Sequence, residues 1–118
     1  MQYLLLIYEA EGARPFALPE AQRAEIHGAY SRFTQDIKAS GHLLGGNALQ
    51  PVHTATTVRV RDNKATMTDG PFAETREQLG GYYLIEATDL DEATKIAARI
   101  PGATTGSIEV RPIMNVSM

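Results

Sequence analysis

Residues 2–8, QYLLLIY, are apolar or aromatic at every position after the first. Read as a strand, the run puts Tyr3, Leu5 and Ile7 on one face and Leu4, Leu6 and Tyr8 on the other, because side chains alternate with a period of two. Both faces of such a strand want cover. Residues 80–87, GGYYLIEA, repeat the pattern, with Tyr82 and Leu84 on one face and Tyr83, Ile85 and Ala87 on the other. The chain is therefore constrained to a sheet with two central strands. The apolar run at the N-terminus is far too short to span a bilayer, lacks a basic flank and is followed by the acidic EAEG, so it reads neither as a signal peptide nor as an anchor.

Two helical patterns alternate with these strands. Pro19 suits the first turn of a helix and Glu20 lies near its positive end, while Ile26, Tyr30, Phe33 and Ile37 recur at spacings of four, three and four on one stripe. With Gly41 after Ser40 as a C-terminal stop, this predicts a helix over about 19–40. Asp89 followed by Glu92 resembles a capping box, and Leu90, Ala93, Ile96, Ala97 and Ile100 form a second stripe ended by Pro101-Gly102. The stretch HLLGGNALQP reads as a loop. TATTVRVRDNKATMTDG gives two runs rich in threonine and valine around Asp62-Asn63, a hairpin with strands near 55–61 and 64–69. SIEVRPIM supplies a last strand.

The order β-α-β-β-β-α-β, in a single domain spanning 1–118, predicts a ferredoxin-like α+β sandwich with an extra hairpin strand in the middle. Both helices then cover one face of the sheet, and the second apolar set on the central strands has no partner within the chain. Each side chain buried there would contribute roughly 1.5–3 kcal/mol, so a two-fold homodimer joined through the open sheet face is the expected closure.

Composition narrows the function classes. The absence of cysteine removes disulfides, thiolate metal sites and a thiol nucleophile, and fits a cytoplasmic location. A net charge of −3 without a lysine and arginine cluster argues against a nucleic-acid partner, because such affinity rests on neutralising phosphates. GGNAL at 45–49 lacks the lysine and hydroxyl residue of a phosphate loop, and no two histidines share a helical metal spacing, so neither cofactor nor metal is expected.

The acidic turn Asp69-Gly70-Pro71-Phe72 ends the hairpin. Glycine can take backbone angles closed to other residues and proline cannot continue a central ladder, so the chain must turn here, with Phe72 free to pin the turn onto the core. A helical turn over AETREQLGG would set Glu74 beside Gln78. Asp69 reads either as a cap for backbone N–H groups or as half of an acid–base pair, since two carboxylates close together in a partly dry cleft push their pKa values apart. Asp69 and Glu74 are accordingly candidate acid and base. His27, at the edge of the first helical stripe, is a candidate partner facing the helix–sheet cleft. Tyr8, Gly70, Pro71, Phe72 and Gln78 are candidate ligand-binding residues.

TDGPFAETREQLGGYYLIEA resembles the signature of the DGPF, or YCII-related, proteins, and MQYLLLIYEAEG, LLGGNALQP and ATTVRVRD match that family's layout. The resemblance covers almost the whole chain. It implies a ferredoxin-like subunit pairing into a dimeric α/β barrel, with a site between helix and sheet. It also implies acid–base or elimination chemistry on small organic molecules, or a regulatory role beside an alternative sigma factor. A histidine–aspartate pair serves as the proposed active centre in part of the wider family. His27 and Asp36 are not such a pair here, because nine residues of one helix set them on opposite sides, roughly 13 Å apart along its axis. Two functional classes follow: a small enzyme, or a non-catalytic module sensing a metabolite. A purely structural dimer is the third.

Overall fold

The computed structural model describes residues 1–115. Its principal elements are β1 (Gln2–Glu9), α1 (Glu20–Ala39), β2 (Leu43–Ala48), β3 (Thr56–Arg61), β4 (Lys64–Asp69), β5 (Gln78–Glu86), α2 (Leu90–Ala97) and β6 (Ser107–Pro112). Four of the strands form one antiparallel sheet in the order β2-β5-β1-β6, with β1 and β5 at its centre as their two-faced apolar pattern requires. This is an α+β arrangement compatible with the ferredoxin-like fold.

Leu5 lies opposite Tyr83 on one side and Val110 on the other, which puts these side chains on one face of the sheet. Phe33 and Ile37 of α1 and Ala93, Ile96 and Ala97 of α2 pack on that face against Tyr3, Leu5, Ile7 and Ile85. The largest of the fully buried core side chains are Leu5, Ile37, Ile85 and Ile100, each contributing about 1.5–3 kcal/mol over an exposed position. On the other face Leu4, Leu6, Tyr8, Tyr82 and Leu84 stay partly exposed. The second helix starts on the predicted cap: Glu92 N–H donates to Asp89 Oδ1 at 2.9 Å, and Thr88 N–H to Glu92 Oε1 at 3.0 Å.

The middle of the chain departs from expectation in two ways. The edge strand after α1 is Leu43–Ala48, the segment whose double glycine reads as loop, and close approach of β2 to β5 requires the glycines Gly46 and Gly81. A Cβ on Gly46 would stand 2.8 Å from Tyr82 O and from Tyr83 Cδ1, and one on Gly81 would stand 2.9 Å from Asn47 O. The hairpin β3–β4, in turn, contributes no strand to the main sheet and forms a two-stranded sheet of its own. Its turn has φ of 52° at Asp62 and 63° at Asn63, the left-handed pair that matches the twist of a two-residue hairpin. Val58, Val60 and Met67 are exposed along this arm, and it helps stretch the molecule to 48 × 45 × 19 Å.

Segment 71–77 forms no helix. Gln78 Nε2 instead donates to Ala73 O at 3.1 Å and Thr75 O at 3.2 Å, and so clamps the irregular chain that precedes β5. Phe72 does not pin the turn to the core; it is 79% exposed. The open end of the arm is closed at Gly70, whose N–H donates to Ala55 O at 2.7 Å and whose carbonyl accepts Thr57 Oγ1 at 2.9 Å, with φ at +98°.

Candidate functional site

A cleft of about 600 Å³ opens between α1 and the β5–β2 side of the sheet, within the range of roughly 300–1,000 Å³ usual for small-molecule pockets. Its existence follows from residue size. Gly80 and Gly81 of β5 and Gly46 and Ala48 of β2 line it, so this part of the sheet raises little side-chain bulk beneath the helix. Tyr30 and Thr34 come down from α1, and Tyr83 rises from β5; Thr34 Oγ1 and the Tyr83 hydroxyl are 2.7 Å apart.

Two charged side chains at the cleft are nearly enclosed: Glu9 is 8% exposed and Arg14 6%. Arg14 is consumed by structure. Its Nη2 donates to Leu49 O at 2.6 Å and Gly80 O at 3.0 Å, and its Nη1 to Gln50 O at 3.4 Å, which ties the end of β2 to β5. Glu11 lies 3.5 Å from the same guanidinium as its counter-ion, and its other oxygen accepts the Val52 N–H at 2.7 Å.

Glu9 has no such partner. The alternation of β1 carries it onto the face of Tyr3, Leu5 and Ile7, so its carboxylate points beneath the helices. Oε2 accepts the Thr105 hydroxyl at 3.0 Å, and Glu9 joins no ion pair among the described residues. Among the described residues no buried side-chain oxygen or nitrogen is left without a hydrogen bond, so Oε1, which takes none from them, is not sealed off, and Glu9 lines the cleft.

Beside it stands Tyr30. Its hydroxyl oxygen accepts the Gly102 N–H at 3.1 Å, which leaves the phenolic proton free for another acceptor. A Cβ on Gly102 would meet Tyr30 Oη at 2.7 Å and Glu9 Oε1 at 3.0 Å, so phenol and carboxylate converge on a space that only glycine leaves empty. Burial, followed by the Glu9 charge, pushes the Tyr30 pKa up to about 12 and keeps the phenol protonated at neutral pH.

A family model for the YCII-related domain matches residues 1–117. The chain belongs to the YCII-related family. An uncharacterized protein of Rhizobium meliloti (strain 1021) is 48% identical over 115 residues, which cover 96% of this chain and 92% of that protein. The YCII-related likeness thus extends from β1 through β6, and includes both the cleft and the arm.

Of the sequence-predicted site residues of this YCII-related chain, His27 lines the cleft, at its more exposed rim. Asp69 and Glu74 are exposed, and together with Gly70, Pro71, Phe72 and Gln78 they stand at or beyond the foot of the arm, outside the residues that line the cleft. Tyr8 lies elsewhere, in a shallow depression with Glu77 and Ser107, where Ser107 Oγ donates to Glu77 Oε1 at 2.8 Å. Asp36 faces Arg99 at 3.9 Å and not His27. No cluster of three histidine, aspartate or glutamate side chains close enough to hold a metal occurs among the described residues. The groups missing from the sequence reading are Glu9, Arg14 and Tyr30 in its polar role. Strand parity alone could have found Glu9.

Proposed function

We propose that this YCII-related protein takes a small organic molecule into the cleft between α1 and the sheet and moves a proton on it, working as a cytoplasmic homodimer closed through the open sheet face. The observation that carries the reading is the enclosed Glu9 carboxylate with one oxygen open to a cavity of ligand size. A carboxylate held away from water, without a counter-ion, is left short of the hydrogen bonds that solvent would give it, and a bound molecule can supply them. Tyr30, kept protonated, donates a hydrogen bond to charge developing on the bound molecule. His27 at the rim is the candidate second carrier, between the cleft and solvent. Support for the homodimer comes from Leu4, Leu6, Tyr8, Tyr82 and Leu84, an apolar set on the face opposite the helices.

Backbone amide NMR with a library of neutral small organic molecules tests the cleft. Shift changes gathered on Ile7, Glu9, residues 27–34, residues 46–49 and residues 80–83 are expected; changes gathered on residues 56–74 would move the site to the arm and refute the reading.

A further inference from the structure

We infer that the molecule taken by the cleft carries a protonated amine, which sits on Glu9 Oε1. The inference rests on the cleft being the binding site and adds the chemical class of its ligand. Two enclosed charges face the cavity, and only one is answered. Arg14 spends its guanidinium on three carbonyls and has Glu11 beside it. Glu9 has a single neutral donor, the Thr105 hydroxyl, on one of its two oxygens.

A carboxylate taken out of water without a counter-ion is costly, and the cost is recovered when a ligand brings the opposite charge. An ammonium group does so with three N–H donors. Glu9 Oε1 accepts one, and the Tyr30 oxygen, which already accepts the Gly102 N–H, has a lone pair left for another. Tyr30 and Tyr83 give the cavity aromatic walls, and their ring electrons attract a cation brought within about 6 Å. An anionic ligand would meet the opposite situation, since Glu9 repels it and the Arg14 donors are engaged.

The test uses three probes of one shape: benzylamine, benzyl alcohol and benzoate, titrated by calorimetry at pH 7 into the full chain and into Glu9→Gln. The cation is expected to bind about tenfold tighter than the alcohol, since both donate to the carboxylate but only the amine brings the opposite charge that offsets its burial. Benzoate is expected to bind most weakly. In Glu9→Gln the preference for benzylamine over benzyl alcohol should vanish. Glu74→Gln, which removes an exposed carboxylate outside the cleft, should keep it, and a cooperative melt of Glu9→Gln guards against a variant that folds poorly.

Equal affinity for the amine and the alcohol in the wild-type protein, or tighter binding of benzoate, would overturn the inference while leaving the cleft as the site. Failure of all three probes to bind would overturn it also, and the neutral library read by NMR then decides separately whether the cleft binds anything.

Discussion

Replacing Arg14 by methionine keeps much of the side-chain volume and removes the clamp between β2 and β5. The two short bonds, to Leu49 O and Gly80 O, are made by a charged donor inside the protein, where each such bond is worth about 1.5–3 kcal/mol. Against that loss stands the relief of burying a guanidinium, and part of the carbonyl demand can be met by water entering from the cleft. A net loss of about 3 kcal/mol results. A domain of this length melts with an entropy near 0.25 kcal/mol per kelvin, so the midpoint should fall by about 12 °C. Circular dichroism melts measure the shift, and amide exchange at Leu49, whose N–H donates to Gly80 O, reports whether the end of β2 loosens first. Arg14→Lys should recover part of the loss, because an ammonium can donate to both carbonyls from one nitrogen as Nη2 does, but it has no second nitrogen for the bond that Nη1 makes to Gln50 O. A fall of less than about 3 °C for Arg14→Met would show that the clamp is not what holds the strands, and the reasoning would fail.

Two further outcomes follow from the Glu9–Tyr30–Gly102 cluster. Gly102→Ala drives a methyl group to within 2.7 Å of Tyr30 Oη, which should cost about 1–3 kcal/mol by chemical denaturation and abolish binding in the cleft. Tyr30 has a pKa of about 12 in the folded chain and about 10 unfolded, so its contribution to stability is complete below pH 10 and is lost as pH rises through 12. Urea midpoints measured across that window should decline in the wild type and decline less in Tyr30→Phe; parallel declines would refute the assignment.

Much of this fold is legible in the letters because the relevant signals are local. The heptapeptide QYLLLIY and the run GGYYLIEA declare central strands by period-two alternation, and Asp89 and Glu92 declare a helix start by chemistry confined to a few residues. The edge strand β2 was hidden by the same fact that makes it possible. Gly45 and Gly46 remove the side chains whose alternation would mark a strand, and Gly46 does so because β5 approaches too closely for a Cβ. The cleft divides likewise. Glu9 could be placed by counting from Tyr3, Leu5 and Ile7, whereas the role of Arg14 depends on carbonyls 35 and 66 positions away, which no local pattern reports. Asp69 and Glu74 stand close in sequence, yet proximity along an exposed stretch of chain does not enclose a carboxylate. Burial is a property of the fold, and it singles out Glu9.

The sheet order has a consequence for how the chain is made. Cut at the tip of the arm, between Asp62 and Asn63, the first piece carries β1, β2 and β3 and the second carries β4, β5 and β6. In the main sheet the pieces alternate, β2-β5-β1-β6, and the arm pairs β3 with β4. Each strand pair therefore joins one piece to the other, and neither contains a ladder of its own. While the first 62 residues leave the ribosome, α1 and a few single turns have their hydrogen-bond partners within reach, whereas the apolar run of β1 must wait for β5 to be synthesised. The same interleaving makes the arm tip a natural place to split the protein into two halves, each ordered only by the other.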